Sequence, residues 1–166
     1  MSRSKVQAVF PGNCHAFTLV EVLIVVVILG VLASIVLPQF VDATAQSSKS
    51  VFVSNLRMYI QAAELYQLDT GNYPADSSSG AVPAGFDSYI DPAGWTRGTP
   101  IGGVWDVEFN DSGGVRSALG VHFNGDGETR DDLFMREIDQ LLDDGDLATG
   151  GFRKLEEGRY YAIIRE

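Results

Sequence analysis

A chain of 166 residues is long enough for one modest globular domain and an extended segment, but too short for two comfortable cores. Its 12 Lys and Arg stand against 22 Asp and Glu, a formal net charge of −10, and the basic residues form no cluster that could track a phosphate backbone, which argues against nucleic acid as a ligand. The single cysteine, Cys14, excludes a disulfide framework within the chain.

The first element is an almost unbroken apolar run, Leu19 to Leu37, LVEVLIVVVILGVLASIVL, with one acid, Glu21, near its start. At about 1.5 Å of rise per residue it matches a hydrocarbon core of ~30 Å. Arg3 and Lys5 precede it and the next basic residue is Lys49, an asymmetry that predicts a cytoplasmic N-terminus and a head across the membrane. A secretory signal has a shorter apolar core that is discarded whole; here the run passes the Ala33-Ser34 pair and continues into further helix. A simple anchor explains the length and the flanking charges but not Glu21, because a carboxylate in hydrocarbon costs at least about 2 kcal/mol unless it finds a partner.

After Pro38 the pattern becomes amphipathic. Val41, Ala45, Phe52, Leu56, Tyr59, Ala63 and Tyr66 share one helical face, with Lys49, Asn55, Arg57, Gln61, Glu64 and Gln67 opposite. Thr70-Gly71-Asn72-Tyr73-Pro74 supplies stop signals, so one nearly continuous helix is predicted from Phe17 to about Asp69. The Ser-, Gly-, Ala- and Pro-rich stretch 76–85 reads as an exposed, mobile loop. Residues 103–109 alternate apolar and polar, and 118–123 follow a turn-rich Asn110-Asp111-Ser112-Gly113-Gly114, which predicts an antiparallel hairpin. Leu133 to Leu142 has helical periodicity with Thr129 or Asp131 as N-cap, and Tyr160 to Ile164 is a third strand candidate. The expected fold class is α+β: a long N-terminal helix, with a transmembrane half and an amphipathic half, packed against a small antiparallel sheet.

Ala16-Phe17-Thr18-Leu19-Val20-Glu21, followed by the apolar run, resembles the class III leader junction of type IV pilins and type II secretion pseudopilins. The resemblance implies that a prepilin peptidase cuts between Ala16 and Phe17 and methylates the new amino group of Phe17. It also implies that Glu21 meets that ammonium in an adjacent subunit during assembly on an inner-membrane platform. Gly30 and Pro38 stand where the family carries helix-loosening residues; glycine lowers helix propensity by about 1 kcal/mol and proline removes a backbone donor. The chain departs from the family in having Ala16 rather than glycine before the cut, with Gly12 farther upstream.

The implied organisation is a leader at 1–16, a transmembrane and filament-core helix at 17–38, an amphipathic helix at 39–71 and an α+β head at 72–166. The implied function is that of a pilin-like structural subunit of a type IV pilus or a secretion pseudopilus, with itself or other pilin-like subunits as partners. Its expected location is the inner membrane, and then a periplasmic or cell-surface filament. The alternative is a non-polymerising, membrane-anchored periplasmic binding module.

Two acidic segments offer hard oxygen ligands at alternate positions, a spacing calcium accepts: Asn124, Asp126 and Glu128, then Asp143, Asp144 and Asp146. The first begins like an EF-hand loop, but its twelfth place is Met135. The other reading is a tight turn followed by solvated helix ends; the resemblance adds that major pseudopilins bind calcium in a C-terminal loop. Catalytic groups are sparse, and no nucleophile elbow, phosphate loop or zinc spacing occurs, so the expected role is not enzymatic. His122 reads as the outward face of a strand, and Trp95, Trp105, Phe109 and Tyr160 as core aromatics.

Overall fold

The computed structural model describes residues 17–109, 114–125 and 129–166. Residues 1–16, with Ala16, residues 110–113 of the expected turn, and residues 126–128, with the calcium candidates Asp126 and Glu128, lie outside the described residues. Helix α1 spans Leu19–Thr70 and passes without interruption through Gly30 and Pro38. The chain falls into two compact units, Met1–Asp42 and Ala43–Glu166. In the first, Leu19–Leu37 has a mean hydropathy of 3.1, and the side chains of this stretch are exposed.

The second unit begins with the remainder of α1, whose apolar stripe decides where the core lies. Phe52, Leu56, Tyr59 and Ala63 are buried at the three- and four-residue spacing that puts them on one face. The helix ends at Gly71, which takes φ +81, a conformation that costs a side-chain-bearing residue but not glycine, and its N–H bonds back to the Gln67 carbonyl at 2.8 Å.

A short 3-10 turn, Phe86–Ser88, and the helix α2, Pro92–Thr96, lead into strands β1 (Val104–Phe109) and β2 (Ser117–His122). Helix α3, Asp132–Leu142, follows, capped by the Asp131 carboxylate, which accepts the Phe134 N–H at 2.9 Å. The chain closes with strands β3 (Phe152–Glu156) and β4 (Arg159–Arg165).

The four strands form one antiparallel sheet in the order β1-β2-β4-β3. The register aligns Trp105 with Val121 and Tyr160, and Val107 with Leu119, Ala162 and Phe152, so these residues share the face toward the core. Phe52 stacks on Trp105 at 5.2 Å, and Tyr59 meets Trp95 and Trp105 edge-on at 5.0 and 4.9 Å. Such aromatic pairs add about 0.5–1.5 kcal/mol each beyond the area they bury.

Several expectations are corrected. The stretch 76–85 is a loop with Asp76, Ser78, Ala81, Ala84 and Gly85 exposed, as expected, but it is tied to the head: Gly80 donates to the Trp105 carbonyl at 2.9 Å, Trp95 Nε1 donates to the Ala81 carbonyl at 3.1 Å, and Pro83 is buried. These bonds engage peptide groups of β1 and its flank that a sequence of small residues gives no sign of needing.

Lys49, assigned to the polar face of α1, is 6% exposed; it pairs with Glu137 and lies 4.3 Å from the Phe134 ring centroid. Helix α3 covers that side, so the aliphatic stem is buried while the ammonium keeps a carboxylate. Phe109 is only half-buried and joins Gln67, Tyr73, Arg116 and Arg165 around an open cleft of about 570 Å³. It ends the edge strand β1, beyond the rings of Trp95, Trp105 and Tyr160, which are buried as expected. Strand β3 and helix α2 were not anticipated.

Candidate functional site

Of the residues expected to govern processing and assembly, Phe17 and Glu21 lie among the described residues, at the start of α1. Thr18 precedes the first helical residue, Glu21 stands three places on, and their groups are reciprocally bonded. The Thr18 N–H and Oγ1 donate to Glu21 Oε2 at 2.8 and 2.7 Å, and the Glu21 N–H donates to Thr18 Oγ1 at 3.2 Å. This is a capping box: two backbone donors that an α-helix leaves unpaired at its N-terminus are satisfied by side chains. The spacing Thr-x-x-Glu was the signal for it. Both Thr18 bonds land on one carboxylate oxygen, and a carboxylate offers about four acceptor positions.

Phe17 lies immediately outside this box, 82% exposed. Farther along α1, a Cβ at Gly30 would meet nothing within 4 Å. Pro38 leaves the Ser34 carbonyl without its usual helical donor, while the Ser34 hydroxyl donates to the Val31 carbonyl at 2.7 Å.

On the sheet face away from the main core lies a polar network. Asp106 and Glu108 of β1 are buried. The Tyr161 hydroxyl donates to Asp106 Oδ2 at 2.8 Å and lies 3.1 Å from Glu108 Oε1, to which Arg159 is also paired. Ser79 Oγ donates to Asp106 Oδ2 at 3.2 Å and lies 2.6 Å from His122 Nδ1.

His122 thus lies on the face turned away from the core, as expected, but is half-buried there. Its pKa is lowered, by burial first and then by the Arg159 charge, with Asp106 and Glu156 opposing. Asp106 is raised by burial against the help of Tyr161, Ser79, Arg159 and His122. Serine and aspartate approach the same ring nitrogen, whereas a nucleophilic triad places them on opposite nitrogens. The network reads as support for the sheet.

The expected calcium ligands are divided by the fold. Among the described ones, Asn124 is exposed in the segment after β2, and Asp143, Asp144 and Asp146 stand beyond the C-terminal end of α3. Asp143 and Asp144 converge on a residue the sequence did not single out: Asp139, one helical turn earlier. The i, i+4 spacing of Asp139 and Asp143 was the available signal. Asp146 turns to cap its own loop, accepting the Ala148 N–H at 3.2 Å. Asp139 is fully buried, and its pKa is pushed up to about 6 by burial and then by the charges of Asp144, Asp143 and Asp146. The Gly145 N–H offsets this in part without closing a hydrogen bond.

An apolar helix opening on a capped glutamate, followed by an antiparallel α+β head, defines a pilin-like class of protein. Residues 11–37 match the prokaryotic N-terminal methylation motif. The chain is 29% identical over 124 residues to the type IV wide pilus major component PilA4 of Thermus thermophilus, a match covering 66% of this chain and 92% of that protein. It is 39% identical over 59 residues to type II secretion system core protein G of Pseudomonas aeruginosa, and 41% over 60 residues to that of Klebsiella pneumoniae. Those two matches cover 36% of this chain and only 42% and 43% of the relatives. No solved structure gave a significant match. The methylation motif and the similarity to PilA4 and to core protein G support a type IV pilin-like or pseudopilin family, and with it a pilin-like subunit of a pilus or pseudopilus.

Proposed function

We propose that the chain is made as an inner-membrane precursor, cut by a prepilin peptidase between Ala16 and Phe17, methylated at Phe17, and built into a filament of pilin-like subunits on a membrane platform. Its N-terminus starts in the cytoplasm and its head outside, and the role is mechanical rather than catalytic.

The observation that carries this reading is Glu21 at the mouth of an otherwise apolar helix, inside the matched methylation motif. In the uncut chain Thr18 satisfies it. Cutting before Phe17 would create an ammonium, and the remaining acceptor positions of Glu21 can take that group from a neighbouring subunit. Away from water such a pair is strong only with both members present, so each subunit favours the next in one register. Gly30 and Pro38 give the helix places to loosen when the bilayer around it is replaced by other helices.

Two substitutions separate this role from simple capping. Glu21→Val removes both cap and charge, whereas Glu21→Gln keeps a side chain that can complete a capping box but carries no charge. We expect both variants to insert in the membrane normally and to be depleted at least tenfold in sheared filament fractions, since about 1.4 kcal/mol of lost pairing is already a factor of ten. Normal incorporation of Glu21→Gln would mean that Glu21 is only a helix cap.

A further inference from the structure

The end of α1 and the ends of strands β1, β2 and β4 meet at the open cleft of about 570 Å³ that Phe109 borders. The chain leaves α1 at Gly71, and the turn brings Asn72 and Tyr73 to the cleft beside Gln67 of the last helical turn. Arg116, just before β2, donates its N–H to the carbonyl of Arg165 on β4 at 2.8 Å, so the backbone sets the two arginines next to each other.

Charge sets this cleft apart from the rest of the molecule. The chain carries a formal net charge of −10, yet among the described residues no acid lines the cleft and two exposed arginines do. Lys49, Arg153, Lys154 and Arg159 are each paired with a carboxylate of their own chain. The guanidinium groups of Arg116 and Arg165 have no such partner among the described residues. A guanidinium is a planar fork that matches a carboxylate through two N–H bonds, and two of them in a concave site draw anions toward it.

A bare carboxylate leaves the remaining lining unused. The side-chain amides of Gln67 and Asn72 and the Tyr73 hydroxyl also have no partner among the described residues, and each can both give and take hydrogen bonds. Phe109 and Tyr73 are half-buried and line the cleft, so part of each ring is open to a ligand. An aromatic face is the negative end of a quadrupole and attracts the polarised C–H bonds of a sugar ring. The volume falls within the roughly 300–1,000 Å³ of small-molecule sites and exceeds what one Asp or Glu side chain of a neighbour would fill. Forks, amides and exposed rings together answer a ligand with an acid, several hydroxyls and an apolar ring face.

We propose that this cleft binds a carboxylated saccharide of the uronic-acid kind, with Arg116 and Arg165 on its carboxylate, Gln67, Asn72 and Tyr73 on its hydroxyls and Phe109 against a ring face. Because the cleft is open, the sugar can be one unit of a longer chain. The site uses neither Phe17 nor Glu21, so its failure would leave the assembly reading untouched.

The test is isothermal titration calorimetry on the full chain in detergent with trigalacturonate and with a glucuronate-containing tetrasaccharide, beside maltotriose as a neutral sugar and hexaglutamate as an acidic peptide. The proteins are the wild type, Arg116→Gln, Arg165→Gln, Phe109→Leu and Arg136→Gln; Arg136, exposed on α3, loses the same charge outside the cleft. At least one uronate should bind the wild type and Arg136→Gln alike, weaken about tenfold in either cleft-arginine variant and about threefold in Phe109→Leu, while maltotriose does not bind. Arg116 and Arg165 are exposed, so their variants should keep the wild-type Tm; if one does not, the other carries the test. Failure of both uronates to bind overturns the proposal, as does an equal loss in Arg136→Gln. Hexaglutamate binding as tightly as the uronates also overturns it, and would mark the cleft as a dock for an acidic protein segment.

Discussion

Glu21 and His122 are both polar groups whose neighbours give them a meaning that their positions in the chain do not. The Glu21 carboxylate closes a capping box with Thr18, so it is not left unpaired, and acceptor capacity remains for the second subunit of the proposed assembly. His122, expected on a solvated strand face, is drawn into contact with Ser79 and lies 3.8 Å from Asp106. Burial and Arg159 lower its pKa from 6.5. Between the lowered value and 6.5 the unfolded chain binds more protons than the folded one, so His122 costs the fold stability as pH falls below 6.5. Asp106, shifted upward, works in the opposite sense at lower pH, so the imidazole should be followed directly. An NMR titration of His122 should give a midpoint below 6.5; a midpoint at or above 6.5 would show that Asp106, not burial, governs the ring.

At the level of elements, the sequence was most legible where periodicity and punctuation agreed. The α1 stripe, the Gly71 stop, the Asp131 cap and strands β1, β2 and β4 all follow from spacing and turn chemistry. Strand β3 was missed because Phe152-Arg153-Lys154-Leu155-Glu156 places its two apolar residues three apart among charges, which breaks period two. Lys49 was misassigned for a related reason, and the alternation of β1 gave no sign that Asp106 and Glu108 are buried. Their burial depends on partners distant in sequence, Glu137, Tyr161 and Arg159, and local pattern carries no trace of those. Asp139 was hidden in the same way, as one more polar residue of an amphipathic helix.

The element on which the second unit depends is the buried face of α1, with Phe52 fully buried against Trp105. Phe52→Ala should cost about 3–5 kcal/mol, a drop in Tm of roughly 6–20 °C by calorimetry. Leu65, on the same helix but 51% exposed, should tolerate Ser within about 0.5 kcal/mol. Equal losses from the two would contradict the packing described.

At the scale of the whole molecule, the division into an apolar first unit and an acidic second one is a division of environments. Among the described residues the side chains from Leu19 to Leu37 are exposed, and a span of 19 such residues is stable only in lipid or among other apolar helices. A subunit that must leave one for the other needs a device that works in both. On the assembly proposed above, a glutamate capped by its own helix in the precursor and paired with a neighbour's amino terminus after cleavage would be such a device.

All of this rests on where the mature chain begins. Tandem mass spectrometry of the N-terminal peptide from protein extracted from the membrane should find it starting at N-methylated Phe17. A retained leader, or a start elsewhere, would contradict the account, because Glu21 would then have no ammonium to meet.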